Sequence, residues 1–209
     1  MKGSDYVITT LFVDIGGVLL SDGWVHKSRA LAAKTFDLNF KEMEIRHYQN
    51  FNTYESGKLT LEEYLKRVVF YEGRRFSFNV FKKFMFSQSK PYPQMINLIA
   101  KLKAKYGLKI VVVSNEAREL NAYRIRTFKL DVFVDSFISS CYVHLRKPDE
   151  DIFRLALDIS HVNYKQVVYI DNTFLFVQVA ESLGIHSIFH TDYKSTRAKL
   201  ASFGLEVSE

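Results

Sequence analysis

Tyr6-Val-Ile-Thr-Thr-Leu-Phe-Val13-Asp14-Ile15-Gly16-Gly17-Val18-Leu19 is the stretch on which the fold turns. It begins as an apolar, β-branched and aromatic run, the composition of a strand buried on both faces. The run is broken by a carboxylate, and the glycines that follow allow a tight backbone turn. This reading puts Asp14 at the carboxyl edge of a sheet, where open α/β folds keep their ligands. A nucleophile or a turn-capping aspartate would both suit that position, and the choice between them rests on segments further along the chain.

Three later segments have the same grammar of strand, polar residue and helix. Leu108-Lys-Ile-Val-Val-Val113 is a short apolar strand that runs into Ser114-Asn115 ahead of a helical pattern beginning near Glu116. A hydroxyl beside a helix amino terminus can hold a phosphate oxygen, and alone it reads as an N-cap. In Leu145-Arg146-Lys147-Pro148 the proline is expected to open a helix, with Lys147 held out of helical conformation just before it. Gln166-Val-Val-Tyr-Ile170 ends in Asp171-Asn172, a second acidic strand end.

Strands are expected at 6–13, 108–113, 166–170 and 185–189, and helices near 93–106, 116–128, 149–160, 173–183 and 193–203. Such alternation implies a doubly wound, Rossmann-like parallel sheet with helices on both faces. Residues 21–90 contain no convincing buried strand, but Leu61, Tyr64, Leu65 and Val68 share one helical face, and Thr60 has the form of an N-cap after the turn Ser56-Gly57-Lys58. The segment therefore reads as a helical insertion, with Pro91 and Pro93 marking the return to a discontinuous core over about 1–20 and 91–209. Phe76, Phe78, Phe81, Phe84 and Phe86 read as packing within that insertion.

At 209 residues with 47% hydrophobic composition, the chain can bury one substantial core plus an insertion. Its one cysteine, Cys141, excludes an intramolecular disulfide and a cysteine-based zinc cluster, as expected of a reducing cytosol. Neither a secretory signal nor a membrane span is supported by the amino-terminal residues, so the expected location is cytoplasmic. The net charge of +6 and pI near 9.2 are spread over amphipathic helices such as Ala100-Lys-Leu-Lys-Ala-Lys-Tyr106, a solvated pattern that makes nucleic acid an unlikely partner. The same positive field would help collect phosphorylated substrates.

Taken in order, Asp14, Ser114, Lys147 and Asp171 resemble the motifs of the haloacid dehalogenase-like hydrolase superfamily, and the resemblance spans nearly the whole chain. Gly16-Gly17-Val18-Leu19 and the insertion around Phe51–Tyr64 are similar to the subgroup with a small α-helical cap. The resemblance implies a magnesium-dependent phosphatase of a small phosphorylated metabolite. Asp14 would form an aspartyl-phosphate, Ser114 and Asn115 would contact the phosphoryl group, and Lys147 would offset charge near Asp14. Asp14, the Gly16 carbonyl, Asp171 and Asn172 would supply oxygen ligands to Mg2+.

Two positions depart from the family pattern. Gly16 stands where phosphatases of the family carry a second aspartate that shuttles the proton, a contribution generally worth ~10²–10⁴-fold. Asn172 stands where a second acid is common. His26 and His47 are candidate substitutes for the shuttle, and His26, Arg46, His47, Tyr48 and Asn52 are candidate specificity residues. These departures motivate an alternative, a weakened or inactive family member that binds a phosphorylated ligand or a protein partner. A dehalogenase is disfavoured because the aspartate it needs late in the chain aligns with Phe176. A phosphomutase would depend on the acid missing at 16.

Overall fold

The computed structural model describes residues 6–208. Its centre is a five-stranded sheet of β1 (Thr10–Val13), β2 (Lys109–Ser114), β3 (Ser136–Ser139), β4 (Val167–Asp171) and β5 (His186–Phe189), in the order β3-β2-β1-β4-β5. All neighbouring strands are parallel, as expected for strands apolar on both faces. The pleat sorts their side chains into two cores. Leu11, Val13, Ile110, Val112, Val168 and Ile170 point to one face, whereas Phe12, Val111, Val113, Val167 and Tyr169 point to the other.

The first face is covered by α5 (Pro93–Tyr106) and α10 (Tyr193–Ser202), through Met95, Leu98, Ile99, Leu102 and Leu200. The second is covered by α8 (Glu150–Ser160) and α9 (Phe174–Ser182), through Ile152, Phe153, Ala156 and Ala180. The remaining core helices are α6 (Arg118–Thr127) and the short α7 (Ser140–Val143). From β1 the sheet grows outward through β2 and β3 on one side and through β4 and β5 on the other. The crevice at the carboxyl ends of β1 and β4 is thus the point where ligands of such sheets bind.

Between β1 and α5 lie four helices, α1 (His26–Phe36), α2 (Phe40–Glu55), α3 (Leu61–Val68) and α4 (Phe78–Ser87). They enclose their own apolar cluster, which includes Trp24, Met43, Tyr54, Tyr64, Leu65, Val68, Phe81 and Met85. Phe36, Phe76, Phe81 and Phe84 make ring-to-ring contacts within it, tilted, edge-on and stacked, so these phenylalanines serve packing. Leu61, Tyr64, Leu65 and Val68 are all buried, and Thr60 caps α3 reciprocally with Glu63, as their spacing predicts. At Gly57, with φ of 69°, a Cβ would sit 2.1 Å from the Cys141 carbonyl oxygen, so the turn after α2 can press against the core only without a side chain.

The structure departs from local expectation at four points. Pro148 does not open a helix: α8 starts at Glu150 and is capped by Asp149, whose carboxylate accepts from the Asp151 N–H at 3.0 Å. Ser114 is not an N-cap, for it is the last residue of β2, and α6 follows Ala117 without a side-chain cap. β3 was not expected, because Ser136-Phe-Ile-Ser139 is an edge strand with only its last two residues buried. The strand expected from residue 6 begins at Thr10.

Candidate active site

Asp14 follows β1 and Asp171 closes β4, and the parallel register of these neighbouring strands brings their carboxylates to one lysine. The Lys147 ammonium donates to Asp14 Oδ1 at 3.0 Å, to Asp171 Oδ2 at 2.6 Å and to the Tyr169 hydroxyl at 3.1 Å. Tyr169 in turn donates to Asp171 Oδ2, and the other oxygen of Asp171 accepts from the Thr173 N–H at 2.7 Å. Lys147 is 1% exposed. All three of its donors are therefore used inside the protein.

Asn115 holds the lysine's backbone: its amide donates to the Lys147 carbonyl at 2.9 Å and accepts from the Lys147 N–H at 2.9 Å. This reciprocal pair pins the loop before α8 to the end of β2. Ser114 is buried beside Asp14, where its hydroxyl favours the charged carboxylate.

The electrostatics follow from burial. Burial pushes Asp14 up to about 7, and the neighbouring Asp171 adds to the rise against the opposing pull of Lys147 and Ser114. For Lys147, burial acts against the charge, but the two carboxylates outweigh it and hold the ammonium above the ordinary lysine value. Tyr169 is raised by burial and by Asp171, so it stays a neutral donor.

A cleft of about 220 Å³ opens beside Asp14. Gly16, Asn115, Glu116, Lys147, Asn172 and Phe176 line it from the core, and Asp22, Trp24, Val25, Phe51, Tyr54, Glu55 and Met85 line it from the insertion. The Phe176 ring centre lies 5.0 Å from the Lys147 nitrogen. At the rim, Arg146 pairs with Glu55 at 2.6 Å. Arg124 is buried against Glu116 and reaches the carbonyls of Ser21 and Asp22 at 3.2 and 2.8 Å and the Ser89 hydroxyl at 3.0 Å. One guanidinium thus ties both chain crossings of the insertion to α6.

The proposed specificity residues are not in this cleft. His26 bonds Glu44 at 2.8 Å, His47 is buried against the Tyr64 hydroxyl at 2.7 Å, and Arg46 pairs with Glu42 at 2.6 Å. Tyr48 is exposed, and Asn52 is likewise absent from the cleft lining. Periodicity along the insertion does not reveal which of its side chains face the core. Asp22, Glu55, Arg146 and Tyr169 were missed. Tyr169 alone had a local signal, two residues before Asp171 and so on the same side of β4.

Asp14, Gly16 and Asn172 line this same cleft, and a carboxylate, a backbone carbonyl and a side-chain amide are oxygen donors that a hard cation accepts. Gly17 makes the approach of Asn172 possible, since a Cβ there, at φ of +74°, would fall 1.9 Å from Asn172 Nδ2. Both oxygens of Asp171 are already engaged, by Lys147 and Tyr169 on one side and Thr173 on the other. No group of three or more His, Cys, Asp or Glu with metal-binding geometry occurs among the described residues. The donor set fits Mg2+ only with carbonyl and amide ligands and retained water.

The model of the haloacid dehalogenase-like hydrolase family matches residues 8–184, and the chain belongs to that family. Among solved structures, the HAD family enzyme BT-2542 of Bacteroides thetaiotaomicron, in complex with magnesium and inorganic phosphate, is similar at a TM-score of 0.76 and 21% identity, covering 88% of this chain and 94% of that one. L-2-haloacid dehalogenase of Xanthobacter autotrophicus is similar at a TM-score of 0.61 and 16% identity, over 96% and 85% of the two chains. Mouse acyl-CoA dehydrogenase family member 10 is 30% identical over 100 residues, which is 48% of this chain and 9% of that protein. No helix among the described residues is long and apolar enough to cross a membrane.

Proposed function

We propose that this hydrolase is a magnesium-dependent phosphatase of a small phosphorylated metabolite, working through an aspartyl-phosphate on Asp14. The observation that carries the reading is the Lys147 ammonium bonded to Asp14 and Asp171 at the ends of β1 and β4. A fixed cation beside the nucleophile offsets the charge gathering on phosphoryl oxygens, and it needs no rearrangement when the reaction begins. Ser114, buried beside Asp14, would donate to a phosphoryl oxygen. Asn115 secures the lysine. Mg2+, held by Asp14, the Gly16 carbonyl and Asn172, would draw charge from the phosphoryl oxygens.

The small cleft, closed by aromatic side chains from the insertion, supports a compact substrate and a water-poor site. The magnesium and phosphate bound by BT-2542 support the same chemistry. Phe176, in the cleft wall near Lys147, weighs against a dehalogenase. The reading places the protein in the cytoplasm, in keeping with its buried free Cys141, and assigns no part to nucleic acid or membrane.

The test is a panel of phosphorylated metabolites and aryl phosphates, assayed with magnesium, with chelator and with Asp14→Asn. Turnover that requires the metal and disappears in a folded Asp14→Asn protein is expected. Turnover retained by that variant ends the proposal. Gly16 and Asn172 favour a second reading, a binding protein for a phosphorylated ligand or a protein partner, and a silent panel together with measurable phosphate binding would select it.

A further inference from the structure

We propose that Asp22 supplies the proton-transferring carboxylate that Gly16 lacks, an inference that rests on the phosphatase reading. A Cβ built on Gly16 would have Asp22 Oδ1 3.5 Å away and the Asp22 Cα 3.6 Å away. The carboxylate therefore stands in ordinary contact with the place where a side chain at 16 would begin. It lines the same cleft as Asp14.

Its position is set by backbone. Arg124, anchored on Glu116, donates to the Asp22 carbonyl at 2.8 Å, and at Gly23, with φ of +75°, a Cβ would meet Arg124 Nη2 at 1.9 Å. The chain can bend around the guanidinium only with glycine there, and the bend presents Asp22 to the site. The side chain itself is little engaged: its one hydrogen bond among the described residues is accepted from the Asn172 amide at 3.4 Å. Every other carboxylate of the cleft has a cation, Asp14 with Lys147, Glu55 with Arg146 and Glu116 with Arg124. Among the described residues Asp22 is the cleft carboxylate left without one. His26 and His47, the other candidate shuttles, are bonded within the insertion.

In the first step an Asp14 oxygen bonds to phosphorus, the bond from phosphorus to the leaving oxygen breaks, and the Asp22 proton passes to that oxygen. In the second, Asp22 takes a proton from water as the water oxygen bonds to phosphorus. The bond from Asp14 to phosphorus breaks, the Asp14 carboxylate is restored, and Asp22 is again protonated.

The experiment is a leaving-group series of aryl phosphates, from phenyl to dinitrophenyl, on the wild type, Asp22→Asn and the double variant Gly16→Asp/Asp22→Asn, with Mg2+ affinity by calorimetry and thermal unfolding on each. Asp22→Asn is expected to lose about 10²–10⁴-fold on the phenyl ester and little on the dinitrophenyl ester, the size of a lost general acid. Mg2+ affinity and melting temperature should hold. The double variant should regain the phenyl ester, because only ordinary contacts surround a Cβ at 16. An equal loss across the series, no loss, or a fall in Mg2+ affinity overturns the assignment while leaving the phosphatase reading standing. A wild type that hydrolyses no ester overturns both.

Discussion

Lys147 joins more of the site than any other side chain, since its three donors reach both strand-end carboxylates and Tyr169. Removing one member of a buried charged group leaves the rest uncompensated, which generally costs about 3–5 kcal/mol. Lys147→Met should therefore lose stability on that scale, seen as a melting temperature lower by roughly 10 °C given about 2–4 °C per kcal/mol for chains of this size. A fall of a degree or less in calorimetry would mean that the carboxylates find other compensation. Asp14→Asn in the Lys147→Met background should recover part of the loss, because it removes one of the stranded charges. At this scale the sequence was legible where a residue's place follows from the end of a strand, as for Asp14 and Asp171, whereas Lys147 was read beside a helix start at Pro148 that the fold does not have, and only the family resemblance implied its place near Asp14. Asp22 and Glu55 were not legible, because what brings them to the site is how the insertion docks, and no local pattern encodes docking.

Among the elements, α2 is the one whose packing makes the protein sensitive to acid. Burial, with the charge of Arg29 nearby, pushes His47 down to about 4 from its usual 6.5. Between these values the unfolded chain binds a proton that the folded chain refuses, so stability rises with pH across that window. The contribution is complete above 6.5 and lost as pH falls toward 4, amounting to at most about 3 kcal/mol at roughly 1.4 kcal/mol per unit. Urea unfolding of wild type and His47→Asn from pH 7 to 4 should show a shallower pH slope in the variant, and parallel slopes would exclude His47 as the source. The strands were legible for a physical reason that also explains the one missed. β1, β2 and β4 fill both cores and so are written as unbroken apolar runs, but β3 lies at the sheet edge and fully buries only Ile138 in a core cluster, with Phe137 partly buried against the other. The other edge strand, β5, is as sparsely buried but was read because Ile185 and Ile188 flank and fill it after the glycine turn at 184, whereas the serines at both ends of Ser136-Phe-Ile-Ser139 leave β3 little apolar signal.

Across the whole molecule, Arg124 links the parts that meet at the cleft. Its guanidinium touches the outgoing segment at Ser21 and Asp22, the returning segment at Ser89, and Glu116 before α6. Arg124→Met is expected to cost about 3–5 kcal/mol by stranding Glu116. Hydrogen exchange should quicken first at Ser21 and Lys90, whose N–H groups are bonded across the two segments, before it quickens in β1 or β4. Uniform quickening throughout the sheet would show that the insertion and core open as one unit.

The pairing of those two segments bears on how the chain finds its fold. The Ser21 N–H donates to the Lys90 carbonyl at 2.8 Å, and the Lys90 N–H returns to the Ser21 hydroxyl at 2.9 Å across 69 positions of sequence. Once the four helices have gathered around their own aromatic centre, that clasp removes those positions from the loop that β1 and β2 must close to pair. Loop closure becomes harder as the loop lengthens, so a chain whose insertion is already clasped meets this search shortened, with the insertion acting as a fold in the string before the knot is tied.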